Sequence, residues 1–273
     1  MTRASTAAKT HCARFTGMAD FLASLPGHGK ARGARFTGGE SFEDSRRNCV
    51  DGWPHIVARA EGLLDQIEAS GLLAAGQPAY VLDVAGAFPC VPAYLAGVPD
   101  NMFRRAPSTQ MGEQSPLTLY LDVCVSAGVS AKQLTERGIA ILTLVLALSR
   151  VRPVDLCLYA TLGASGEFNA IIPIVPIATA PLDVSSATYA LASAGFLRNL
   201  CFAYAEPRGF DGSWAWHKSP MDPVSRDRVR GVLDAQPQDL VIYGGHVSDP
   251  HIAKPVEWLK DQLALHLPQG DAE

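Results

Sequence analysis

The chain lacks an apolar run near the roughly 18 residues of a membrane-spanning helix. Its longest, Ile139–Leu148, is far shorter and fits a buried helix. It lacks any Cys-x-x-Cys pair. Its six cysteines (Cys12, Cys49, Cys90, Cys124, Cys157 and Cys201) are scattered, which argues against a thiolate zinc centre. It lacks an excess of positive charge: the formal net charge is -4 and the sequence pI about 6.0. That argues against a protein that coats nucleic acid along its whole surface. Residues 2–16 carry Arg3, Lys9, His11 and Arg14 and no apolar core of a signal peptide, so the expected setting is the cytoplasm, with no membrane. No internal repeat or low-complexity tract is evident. What is present is apolar residues, 48% of 273, enough for the core of one large domain or one domain with extensions.

Three segments are expected. Residues 1–52 read as a basic, Gly-rich leader: 1–50 hold eight basic and four acidic residues. Such a stretch is either a solvated face or an arm for an acidic partner such as nucleic acid. Ser41 and Asp44 form a weak capping box for a short helix. Residues 53–116 read as a helix–strand extension and loop. Pro54 suits a first helical position. Ile56, Ala60, Leu63, Leu64 and Ile67 make a helical stripe, with Gly71 as its stop. Ala79–Val84 reads as a strand, Val91–Ala96 as a helical turn or two, and 97–116 as a long loop.

From Leu117 to Glu273 the pattern alternates. Leu117–Val123 reads as a central strand. Ser130 and Gln133 make a second capping box, and the helix to Arg150 is apolar nearly all round, hence buried on several sides. Val154–Ala160 and Glu167–Ala178 read as strands joined as a hairpin. Asp183 caps a helix that Gly195 ends. Leu197–Ala205 reads as a strand, 207–223 as a loop, Val224–Leu233 as a helix, Asp239–Tyr243 as a strand, and Pro255–Leu267 as the last helix. This order predicts an α/β, three-layer, mostly parallel sheet with helices on both faces, Rossmann-like in outline, plus an N-terminal α/β extension.

The residues with the most chemical content are Asp122-Val-Cys-Val-Ser126. They leave a central strand toward the crevice where open α/β sheets bind ligands. From here to about residue 265 the chain resembles a von Willebrand factor A-type domain. In that family a strand ends in Asp-x-Ser-x-Ser and a long helix follows, then a strand and an antiparallel edge strand. A divalent cation sits at the top of the sheet, completed by a Thr and an Asp from later loops. Asp122 and Ser126 match the first and last motif positions. Cys124 replaces the middle Ser, a thiol where a hard cation prefers oxygen. Thr179 or Asp183 stands near the Thr loop, and Asp249 follows the final strand. The resemblance implies a protein-interaction or scaffold module without catalysis. It also implies Mg²⁺ or Mn²⁺ held by Asp122, Ser126, Asp183 and Asp249, and a protein partner in the crevice at the strands' carboxyl ends. The plain structural alternative is that Asp122 caps the loop after its strand, and that Asp183 is an N-cap.

Two rival chemistries remain at the residue level. Cys124 as nucleophile, with His246 as base and Asp249 orienting it, describes a thiol-dependent hydrolase. The basic residues of 1–50 describe a nucleic-acid accessory protein. Gly27-His-Gly-Lys30 is no phosphate loop, since no strand precedes it and Ala31 stands where a Ser or Thr would be needed. The stretch from Asp83 to Gly97, with Ser41-Phe-Glu-Asp44 and Gly52-Trp53, is similar to uncharacterised proteins of tailed bacteriophages. That likeness implies a host-cytoplasm or virion setting and carries no activity.

Overall fold

The computed structural model describes residues 10–70, 80–85, 88–95, 97–105, 116–150, 152–164, 170–179, 183–214 and 223–266. Its frame is one large sheet. Strands β5 (Leu117–Asp122), β6 (Val154–Tyr159) and β10 (Leu240–Ile242) run parallel in the order β10–β5–β6. β8 (Ala170–Ile177) lies antiparallel to β6, and β1 (Thr10–Arg14) lies parallel to β8. β7 (Leu162–Ala164) continues the line of β6 in the same register against β8. β9 (Phe210–Trp214) pairs with β7 and so lies just beyond the carboxyl end of β5. A small antiparallel sheet is made of β2 (Tyr80–Asp83), β3 (Phe88–Pro89) and β4 (Met102–Arg105).

The pleat sorts the core. Leu119, Leu121, Leu156, Leu158, Ile171 and Val175 face the larger cluster. Cys157, Tyr159, Ile172 and Ile174 face the opposite layer, where Val229 and Leu233 of α9 (Pro223–Leu233) cover them. Helices therefore pack on both faces, as the period-2 and period-3.6 patterns predict. On the larger side the central element is α6 (Ala131–Ser149). Its Leu134, Ile139, Ile141, Leu142, Leu144, Val145 and Leu148 are all buried. It packs against α4 (Pro54–Ala69), α7 (Val184–Ala192) and α11 (Pro255–His266). Ser130 opens α6 with the expected capping box: its Oγ accepts from Gln133 N at 3.3 Å, and Gln133 Oε1 accepts from Ser130 N at 3.0 Å. Ser41 and Asp44 do the same for α3 (Phe42–Asp51).

Four local expectations change. The leader is not a solvated arm over its described part. β1 belongs to the main sheet, and α1 (Met18–Ala23) and α3 place Phe21 and Cys49 at zero exposure in the main core. The loops expected at 97–116 and 207–223 contain β4 and β9. Gly71 lies outside the described residues. Leu197–Ala205 is helical: a π-helical turn, Phe196–Cys201, runs into α8 (Phe202–Ala205). Gly195 does not stop the chain there, because it stays right-handed helical (φ -64, ψ -33). Its missing Cβ instead makes room for Glu40, Ser45 and the Tyr189 hydroxyl. The turn is held by polar side chains. Arg198 donates to the carbonyls of Phe36 (2.6 Å) and Val129 (2.9 Å), and Asn199 to those of Glu40 (3.0 Å) and Ser41 (3.1 Å). Such long-range bonds override a local β preference.

Candidate functional site

β5 delivers Asp122 to the carboxyl end of the parallel strands, as its sequence requires. There the side chain is enclosed, at 3% exposure. Oδ1 accepts from the Cys124 backbone N–H at 2.9 Å, and Oδ2 accepts from the Thr161 hydroxyl at 2.6 Å. Gly244 lies directly over the carboxylate: a Cβ there would come within 3.1 Å of Oδ2 and 2.6 Å of the Cys124 carbonyl. Burial pushes the Asp122 carboxyl up to about 6, against the pull of its two hydrogen bonds and of Arg137.

The loop after β5 and the loop after β10 are zipped together. Gly245 N donates to Cys124 O at 3.2 Å, and Ser126 N donates to Gly245 O at 2.9 Å. This Val125–Gly245 bridge extends the β5–β10 pairing beyond both strands. Below it lies Arg137, 2% exposed, whose Nη2 donates to the Asp122 carbonyl at 2.9 Å. Burial lowers its pKa to about 10. His251 closes the far side. A Cβ on Gly245 would lie 2.6 Å from its Nε2, and its ring meets Trp258 with centroids 6.0 Å apart. Burial, then Arg137, lowers His251 to about 3. Arg137 Nε and His251 Nε2 are buried with no hydrogen-bond partner among the described residues.

The other expected residues are placed as follows. Cys124 is buried. Its thiol donates to Thr161 O at 3.5 Å, and burial, then Asp122, raises its pKa well above 9.0. Ser126 is half-buried, and its Oγ accepts from Gly128 N at 3.3 Å. His246 is exposed, and its backbone N–H donates to Asp249 Oδ2 at 2.7 Å. Asp249 is the N-cap residue of α10 (Pro250–Ala253). Asp183 is the N-cap of α7, its Oδ1 accepting from Ser186 N at 3.1 Å. Asp183 belongs to the other end of the sheet. Its N–H donates to Ala178 O at 2.7 Å, and β8 runs antiparallel to β6, so this end matches Asp155. Asp122 matches Tyr159, four residues further along β6, about 13 Å away at the rise of a strand. Thr179 shares the Asp183 end: its Oγ1 donates to Asp155 Oδ1 at 3.4 Å.

These positions do not fit a cation. Mg²⁺ takes oxygen ligands in octahedral array. Both oxygens of Asp122 already hold hydrogens, a backbone covers them, and Asp183 does not converge. No group of three or more His, Cys, Asp or Glu able to hold a metal ion occurs among the described residues. The residues that sequence reasoning missed are Thr161, Arg137, Gly244 and His251. None of them carried a signal of its own: Arg137 follows Glu136 in the polar first turns of α6, just before the apolar run begins at Ile139.

Two recesses matter for binding. One of about 280 Å³ runs beside β10, lined by Leu240 to Gly244, Asp249, His251 and Trp258. A larger one, of about 830 Å³, opens at the Asp183 end.

The architecture is a three-layer α/β unit whose amino-terminal strand is built into its main sheet. Residues 4–230 match the model of a family described as a domain of unknown function, DUF7192, and the chain belongs to that family. The match runs from before β1 into α9, across both expected boundaries at 52 and 116. No curated protein and no solved structure matches the chain. No helix among the described residues is long and apolar enough to cross a membrane.

Proposed function

We propose that the chain is a non-catalytic protein-interaction or scaffold module of von Willebrand A-like build, which takes a protein partner in the groove beside β10. The observation that carries the reading is the division of labour at the carboxyl ends of β5 and β10. Asp122, Cys124, Thr161 and Arg137 all bind one another or the loops above them. Tyr243, Asp249 and Trp258 line an accessible groove instead, with Arg226 over the Tyr243 ring at 5.3 Å. β10 ends the strand order, and aromatic residues on such a surface suit protein contacts. The run β5–α6–β6–β8 has the order that the resemblance implies. It departs in one respect: β1 continues the sheet past β8, so β8 is not an edge. The reading requires no cation.

The thiol-hydrolase alternative needs a thiolate within reach of a base, and the Cys124 thiol is buried and bonded to a carbonyl. The nucleic-acid alternative needs basic residues directed outward. Of those described in 1–50, Arg14, Lys30, Arg35 and Arg47 are exposed, but Lys30 and Arg32 pair with Glu206 and Arg47 pairs with Asp44, which offsets part of that charge.

The test is a photo-cross-linking residue at Tyr243, with the same residue at the exposed Glu61 as control, in the native cell. A protein adduct specific to position 243 is expected, Cys124 should react with iodoacetamide no faster than a buried thiol, and Mg²⁺ or Mn²⁺ should give no heat on titration. Cys124-dependent turnover of an ester or peptide, or equal adducts at both positions, overturns the reading.

A further inference from the structure

The larger of these two recesses lies away from the groove beside β10. It opens where β1 and β8 end and β6 begins, between α1, the end of α3 and the start of α7. Its volume, about 830 Å³, falls within the range of ligand-sized sites. The floor is apolar: Met18, Leu22 and Ile177 are buried beneath it, and Val50 stands on the rim at 63% exposure. The polar lining is anionic. Asp20, Asp155 and Asp183 contribute carboxylates, and no Lys, Arg or His lines the recess among the described residues.

Each carboxylate is oriented by a bond to its own chain. Asp20 Oδ2 accepts from Thr16 N at 2.9 Å and from its hydroxyl at 3.2 Å. Asp155 Oδ1 accepts from Thr179 at 3.4 Å, and Asp183 Oδ1 from Ser186 N at 3.1 Å. A carboxylate has about four acceptor sites, so each keeps capacity for an outside donor. Asp183 also neutralises the positive end of α7, which would otherwise repel a cation. The three do not gather tightly enough to form a metal-holding group. Carboxylates fixed apart over an apolar floor suit cations that are themselves spaced along a chain. Lysine and arginine side chains lay their methylene stems on apolar surface and present the charge at the tip.

We infer that this cleft is a docking site for an extended, Lys/Arg-bearing segment of a partner protein, distinct from the β10 groove and on the opposite end of the sheet. A module with sites at both ends bridges two partners, which goes beyond the single contact proposed above.

The test is fluorescence anisotropy of the full chain with a labelled nonapeptide that carries three lysines separated by leucine and glycine. The lysine-acetylated peptide and spermine serve as comparison ligands. Binding that weakens with added salt is expected. Affinity should fall about tenfold in the double variant Asp20→Asn, Asp155→Asn, where asparagine keeps the internal acceptor, since two charge contacts together are worth about that much. Val50→Lys, a change on the exposed rim, should weaken binding too and leave folding intact by circular dichroism, while Glu61→Gln should change nothing. Equal affinity in the double variant and in Val50→Lys overturns the inference. So does equal binding of the acetylated peptide, or spermine binding as tightly as the peptide, which marks a small-polyamine site. None of these substitutions touches the Tyr243 adduct, so either reading can fail alone.

Discussion

At the scale of single residues, the buried group under the zipped loops contains two titrations of opposite sign. Asp122 is raised to about 6 from an ordinary 3.8. Its contribution is fully present below 3.8 and is lost as pH rises through about 6. His251 is lowered to about 3 from an ordinary 6.5. Its contribution is present above 6.5 and is lost as pH falls toward 3. Arg137 faces both, and Tyr159, Cys124, Cys201 and Asp249 are the other titratable groups around them. Between pH 4 and 6 the two groups oppose each other, each with a limiting slope of about 1.4 kcal/mol per pH unit. Removing one should expose the other. In His251→Leu, stability by urea unfolding should rise, relative to the parent, as pH falls from 6 to 4. In Asp122→Asn it should fall over the same range. Asparagine at 122 retains an acceptor for Cys124 N and an amide that can donate to Thr161, so the fold should survive the comparison. Slopes that match the parent's in both variants would show that these groups are not held as described.

At the scale of elements, close approach of backbones decides which glycines matter. Gly138 sits in α6 where α7 crosses it: a Cβ would meet Leu191 O at 2.6 Å and Ala192 Cα at 2.7 Å. Both are backbone atoms, so the helices must separate. Gly138→Ala should cost about 1–3 kcal/mol. Gly62 sits in α4 with nothing within 4 Å of an added Cβ. Gly62→Ala should stabilise by about 0.5–1 kcal/mol, the helix-propensity gain. Urea midpoints moving in opposite directions are the expected result, and a shared direction would contradict the packing. Elements of this kind were largely legible in the sequence because their signals are local. Ser41 with Asp44, Ser130 with Gln133, and Pro54 at a first helical position mark helices α3, α6 and α4 within a residue or two. The misread stretch, Leu197–Ala205, is apolar and held by Arg198 and Asn199 through partners 69 to 162 residues away. The candidate site fails to read for the same reason. The enclosure of Asp122 depends on Thr161, 39 residues distant, and on Gly244, and neither leaves a mark near the Asp122 motif. Its position at the end of a central strand was legible; its exposure was not.

At the scale of the whole molecule, residues 10–70 are part of the core and not an appendage to it. The sparse apolar residues of 10–51 gave the impression of a solvated leader, yet Phe15, Phe21 and Tyr204 form an aromatic cluster with edge-on and tilted contacts at 5.3 to 5.9 Å. β1 covers the edge of β8 that β6 leaves open, with five residues in register. Ile56, Ala60, Leu64 and Ile67 of α4, all at most 3% exposed, belong to the cluster that surrounds α6. A fragment beginning at Leu117 would therefore bare one edge of β8 and one side of α6. Such a fragment should keep helical circular dichroism, lose near-ultraviolet signal and bind a hydrophobic dye, the behaviour of a compact state without fixed packing. The full chain should unfold in one transition, with Trp53 beside Tyr189 and Trp258 beside His251 reporting the same midpoint, as a single cooperative unit does. A fragment 117–273 that melts sharply at the parent's midpoint would mean that the amino-terminal elements merely rest on a finished domain. It would also make deletion of 1–50 a clean way to test that segment for nucleic-acid binding, which the shared core otherwise rules out.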